Sequence, residues 1–147
     1  MGTKYNLYIF IFVLICCNLF LASHVLPQNN QDTPPTRDSK EPVLDNAVMC
    51  EEIKDFTPKN RAVIFSIQIG QVSCFTSFDP VPKKTFIYHK WFHNDKPSTK
   101  KKLTLQPPRW ATYSTIQLRE TDKGHWRVEI TDQKENIFHT VRFTITD

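Results

Sequence analysis

The chain has 147 residues, of which 39% are hydrophobic and 23% charged, with a formal net charge of +4. That is enough apolar material for one ordinary domain with a core, and the mixed charges are those of a globular chain. Glycine occurs only at Gly2, Gly70 and Gly124, so the P-loop and the dinucleotide fingerprint, which need several glycines at close spacing, are excluded.

The N-terminus carries Lys4 and then an apolar run from Leu7 to Ala22, broken only by Asn18 and followed by the small pair Ala22 and Ser23. This pattern predicts an export signal over residues 1–26, or equally an uncleaved helix over residues 5–26 that anchors the chain in a membrane. No Lys or Arg follows until Arg37, so the positive-inside rule puts the remainder on the extracytoplasmic side, periplasmic or secreted, and tethered to the inner membrane if the segment is retained. Cys16 and Cys17 lie in this run behind Leu14 and Ile15. Those large residues are unlike the small ones that precede a lipidated cysteine, so packing in the apolar helix is the reading for both. Residues 27–46 are polar and contain Pro27, Pro34, Pro35 and Pro42. They are expected to form a linker.

From Ala47 onward the chain reads as a single β domain over residues 47–147, in short strands separated by turn signals. The expected strands are 47–53, 62–69, 72–78 and 85–93, then a short one at 103–106, and finally 110–118, 125–131 and 137–145. Residues 55–60 with Pro58, the 79–84 loop with Pro80 and Pro82, and Asn94-Asp95-Lys96-Pro97 supply turn chemistry. Gly70 marks a bulge or break. Alternation is cleanest at the C-terminal end. There Trp126, Val128 and Ile130 form one apolar row, and Ile137, His139, Val141, Phe143 and Ile145 a second. No helical period follows the N-terminal segment, so the expected fold class is all-β: an immunoglobulin-like two-sheet antiparallel β-sandwich preceded by an N-terminal hydrophobic helix.

Cys50 and Cys74 form an isolated pair in a domain facing an oxidising compartment, which makes them disulfide candidates, with two buried thiols as the competing reading. Metal binding is not expected. His89 and His93 are four apart on a strand, about 13 Å at ~3.3 Å per residue, too far to share an ion. Alternation puts His125 on a polar face and His139 on an apolar one. Ser114 lacks a nucleophile elbow and the carboxylates are scattered through turns, so no catalytic residue and no cofactor is expected.

The stronger candidates are ligand-binding residues: Trp91, Trp110 and Trp126 as stacking faces, with Arg109 and Arg127 as forks for carboxylate, phosphate or sulfate. The competing reading places all three Trp rings in the core, and the phase of Trp126 with Val128 and Ile130 favours it. Lys96, Lys100, Lys101 and Lys102 gather around an expected hairpin loop, as a basic patch for an anionic surface or as protection of a strand edge. From Ala47 onward, 16 Lys and Arg stand against 11 Asp and Glu, a net of +5. Export makes nucleic acid an unsuitable partner.

Three stretches in order, His89-Lys90-Trp91-Phe92-His93, Pro108 to Ser114 with its Arg109-Trp110 pair, and Gly124-His125-Trp126-Arg127-Val128, resemble the bacterial "domain of unknown function 2914" family. The resemblance extends over Val48 to Asp147. It implies a β-sandwich module of envelope or membrane-linked proteins and carries no catalytic residue to inherit. Cys50, Cys74 and the Pro107-Pro108 pair depart from that pattern. The functional expectation is a non-enzymatic module that binds an envelope protein or anionic polymer. Its alternatives are a small carbohydrate-binding or carbohydrate-processing protein, and a purely structural domain.

Overall fold

Two sheets packed face to face, both drawn from period-two segments, make up residues 40–147, the part of the chain that the computed structural model describes. The apolar segment at 1–26 and most of the expected linker lie outside these residues. Among the described residues no helix is long and apolar enough to cross a membrane. The strands are β1 (Leu44–Lys54), β2 (Thr57–Arg61), β3 (Ile64–Ser66), β4 (Gln71–Phe78), β5 (Thr85–His93), β6 (Lys96–Leu105), β7 (Trp110–Gln117), β8 (Gly124–Thr131) and β9 (Ile137–Thr146). One sheet has the order β2-β1-β4-β7 and the other β3-β9-β8-β5-β6.

Several local expectations change. Pro42 is buried, and the Val43 N–H donates to Pro80 O at 3.1 Å while the Asp79 N–H donates to Val43 O at 3.0 Å. The end of the expected linker is therefore docked, and the first strand starts at Leu44. Residues 62–69 do not form one strand. At Ala62 the chain is still bonded to Met49 of the four-stranded sheet, and at Val63 it has crossed to Thr144 of the other. The crossing leaves β3 three residues long and parallel to β9, so the sandwich is not wholly antiparallel. A 3₁₀ turn follows at Ile67–Ile69, closed by Gly70 at φ +75°, where glycine is the residue without a steric penalty.

The two tightest hairpins use two-residue loops with both residues at positive φ, Asp55-Phe56 and Asn94-Asp95. That is the turn geometry whose twist matches the flanking strands. Pro58 sits inside β2, an edge strand, where a missing N–H is tolerated. The lysine-rich stretch expected as a loop is instead strand: β6 pairs with β5 from Leu105 back to Lys96.

The core is filled from both sheets. Met49, Val72 and Cys74 meet Trp91, Trp126, Val128 and Phe143 in one cluster, while Phe78, Val81, Ile87, Leu105 and Ile130 form a second. Each of these large side chains contributes roughly 1.5–3 kcal/mol by leaving water. In β9 the expected alternation breaks. A register shift opposite Ile130 and Thr131 inserts an extra residue, leaving Ile137 57% exposed and turning Phe138 inward onto Phe78 at 5.5 Å. The same bulge puts His139 on the exposed side, against its expected apolar placement.

Candidate binding surface

Strand β5 lies between β8 and β6, so both of its edges are paired. Ile87, His89 and Trp91 point inward and are buried, whereas Phe86, Tyr88, Lys90 and Phe92 alternate with them on the outer face of the five-stranded sheet. On that outer face each aromatic ring carries a cation. Lys102 Nζ stands 3.8 Å from the Phe86 ring centre, Lys100 Nζ 3.9 Å from Tyr88, and Arg127 Cζ 4.0 Å from Phe92. These contacts are within the range where a ring's negative face attracts a cation, worth ~0.5–1 kcal/mol at exposed sites.

Acidic groups hold the row in place. Lys90 and Lys100 grip Glu135 of the β8–β9 turn at 3.1 and 2.8 Å, and these hydrogen bonds keep the Glu135 carboxyl below its ordinary pKa. Arg127 pairs with Asp95 and, at 3.1 Å, with Glu129. At one end of the face a groove runs between Val63 and Ile64 on one side and His125, Arg127 and Arg142 on the other. Arg127 and Arg142 are direct cross-strand partners, an arrangement that like charges normally oppose. Arg127 has its carboxylates, while among the described residues Arg142 enters no ion pair. The end of the groove is set by Gly124 at φ +120°, where a Cβ would stand 3.0 Å from Asn94 Oδ1 and push apart the turn bonds Asn94 N–H to His125 O and His125 N–H to Asn94 Oδ1.

The five ligand-binding candidates do not converge. Trp91 is 1% exposed and Trp126 5%. Trp126 stacks on His93 with ring centres 4.5 Å apart and donates Nε1–H to Asp122 O at 2.7 Å. Neither ring offers a stacking platform. Trp110 is half-buried against the second core cluster and, with exposed Arg109, borders a separate groove beside Asp45 and Ser77. Arg127 belongs to the outer face. The basic patch also divides: Lys100 and Lys102 lie on that face, Lys101 faces the seam between the sheets, and Lys96 sits at the hairpin turn.

Cys50 and Cys74 are free, buried thiols. In the β1–β4 ladder Met49 opposes Cys74 and Cys50 opposes Ser73, so the two cysteines differ in phase by one residue and project to opposite faces of the sheet. This corrects the disulfide expectation, since bonding geometry needs both Cβ vectors to converge. Burial pushes the Cys50 thiol up to about 11 and raises Cys74 as well.

Behind the outer face lies a polar relay that period-two reading does not disclose. Trp91 Nε1 is 3.1 Å from Ser114 Oγ, Ser114 Oγ 2.9 Å from His89 Nδ1, His89 Nε2 3.2 Å from Thr76 Oγ1, and Thr76 Oγ1 3.4 Å from Thr112 O. One direction satisfies every donor once: Trp91 to Ser114, Ser114 to His89, His89 to Thr76, Thr76 to the Thr112 carbonyl. His89 is thereby assigned its proton on Nε2, and burial lowers its pKa to about 3. Ser114 and His89 are within hydrogen-bonding distance as a nucleophile and base would be, but they are 6% and 0% exposed, and no carboxylate adjoins the imidazole in the relay.

The fold is thus a two-sheet β-sandwich whose most distinctive surface is a cation-capped aromatic face. Residues 84–145, from the start of β5 almost to the end of β9, match the family model described as "Protein of unknown function (DUF2914)", and the three motifs all lie within the matched stretch. The match does not extend to β1–β4. No curated protein matches the chain. Among solved structures, similarity is found to a mutant beta-glucosidase from Listeria innocua in complex with laminaribiose, at 11% identity and TM-score 0.40, over 83% of this chain and 20% of that one. A GH3 beta-glucosidase from Bifidobacterium adolescentis is similar at 11% identity and TM-score 0.33, over 71% of this chain and 17% of its own. This chain therefore spans about a fifth of either enzyme, and likeness at this level carries no argument about activity.

Proposed function

We propose that the domain is a non-enzymatic, extracytoplasmic binding module, immunoglobulin-like in its arrangement, whose outer five-stranded face meets an anionic envelope protein or polymer. The observation that carries this reading is the stacking of Lys102, Lys100 and Arg127 over Phe86, Tyr88 and Phe92. Each ring holds its cation in a defined place above the sheet, which lowers the entropy a bound anion must otherwise remove from a mobile side chain. The apolar segment at the N-terminus supports the extracytoplasmic placement. The carbohydrate alternative asks for exposed Trp platforms, and burial of Trp91 and Trp126 weighs against it.

The test is binding of the full-length protein to polyglutamate and to a sulfated polysaccharide at several salt concentrations. Combining Lys100→Gln with Lys102→Gln is expected to weaken binding about tenfold and to flatten its salt dependence, while Lys54→Gln with Lys59→Gln, on the other sheet, leaves it nearly unchanged. Equal losses in both pairs, or no saturable binding to either polymer, would refute the proposal.

A further inference from the structure

A sandwich of two open sheets has strand edges to protect, and three of the four terminal strands here are guarded. Strand β2 contains Pro58, Lys59 and Arg61, β3 is only three residues long, and β6 carries Pro97 and four lysines. Short length, proline and lysine are the usual devices against pairing with another chain. Strand β7 has none of them. Its sequence, WATYSTIQ, is eight residues long and uncharged, and it pairs with β4 at every position without a register shift.

The phase of that ladder identifies which groups are open. The Leu118 N–H donates to Gly70 O at 2.9 Å, so even-numbered β7 residues form the hydrogen-bonded pairs with β4 while Ala111, Tyr113, Thr115 and Gln117 direct their N–H and C=O groups away from it. Tyr113 is 41% exposed. Alongside the C-terminal half of this edge runs a groove bounded on the β6 side by Ser98, Thr99 and Lys101.

Charge then selects the occupant. Arg109 precedes the strand, Arg119 follows it, and Lys101 faces it across the groove. Among the described residues none of the three enters an ion pair. Two copies of β7 paired antiparallel about Ser114 would set Arg109 of one against Arg119 of the other, which disfavours self-pairing. An extended segment with a neutral centre and acidic flanks meets the same edge with complementary charge.

We propose that β7 receives an extended, acid-flanked segment of a partner protein, added as a fifth strand to the four-stranded sheet. The site is separate from the cation-capped face and does not depend on that reading.

The test uses the full-length protein and a synthetic peptide about ten residues long, alternating Thr and Val in the middle with Glu at both ends. Hydrogen exchange is expected to slow at Ala111, Tyr113, Thr115 and Gln117 on peptide addition. N-methylation of alternate peptide amides should weaken binding about tenfold or more, a result that does not rely on any protein variant folding, and Arg109→Gln with Arg119→Gln should weaken it roughly three- to tenfold. Lys100→Gln with Lys102→Gln should leave it unchanged, which separates this site from the outer face. Protection that appears instead on β5 and β6, binding indifferent to N-methylation, or peptide-free protection of β7 that rises with protein concentration, the mark of self-pairing, would each overturn the proposal.

Discussion

The two faces of β5 both carry aromatic rings, and the rings have opposite fates. Inward, His89 and Trp91 are dry and tied into a relay that ends on a backbone carbonyl; outward, Phe86, Tyr88 and Phe92 stay at the surface under lysine and arginine. The difference lies in the neighbours. The inner face finds hydroxyl groups from β4 and β7 of the opposite sheet, whereas the outer face finds the long cationic side chains of β6 and β8, held by Glu129 and Glu135. An aromatic strand residue therefore reports burial only after its cross-strand partners are known, because Lys and Arg stems can cover a ring while keeping their charge in water.

This contrast can be broken first with acid. The folded pKa of His89, about 3, lies below its ordinary 6.5, so the unfolded chain takes up a proton more readily between those values. Stability from this group is complete above pH 6.5, declines as the pH falls below it, and levels off near pH 3, a loss of roughly 4–5 kcal/mol. A proton on Nδ1 would also leave the Ser114 hydroxyl without its acceptor. Denaturant titrations across this range should show the decline, and His89→Gln, less stable at neutral pH, should lose most of the slope.

Next in size, Trp91→Ala should cost about 3–5 kcal/mol by leaving a cavity and removing a donor to Ser114, read as a lowered denaturation midpoint with an unchanged slope. Gly124→Ala combines an unfavourable φ with the contact to Asn94, so a loss of about 1–3 kcal/mol is expected, with faster exchange of the Asn94 and His125 amides. On the outer face, Lys102→Gln should move stability by no more than ~0.5 kcal/mol, because the Phe86 ring stays at the surface either way. The smallest effect concerns the thiols. With Cys50 pushed up to about 11 and Cys74 fully buried, both should resist alkylation in the native protein at pH 8 and react once it is unfolded, as mass spectrometry of the labelled peptides would show.

Most strand positions were legible because a half-buried strand imposes period two on its own sequence. Strands β4, β5, β7 and β8 fall within a residue of where alternation puts them. Errors fall where the pattern changes sheet or gains a residue, at Ala62–Ile64, where the chain crosses between sheets, and at Phe138, where a bulge reverses the phase of β9; residues 57–61, expected within a turn, also form the edge strand β2. The lysines of β6 resembled a loop because its outer edge lies in solvent, and a solvated edge strand has the composition of a turn.

Local sequence by itself determined the all-β class, most strands and the placement of Trp126 in the core, since each follows from spacing between near neighbours in the chain. Tertiary structure alone decided that Cys50 and Cys74 face opposite ways, that His89 meets Ser114 and Thr76, and that Arg127 reaches Phe92. These depend on register between strands distant in the chain, and a one-residue slip in register would undo every one of them.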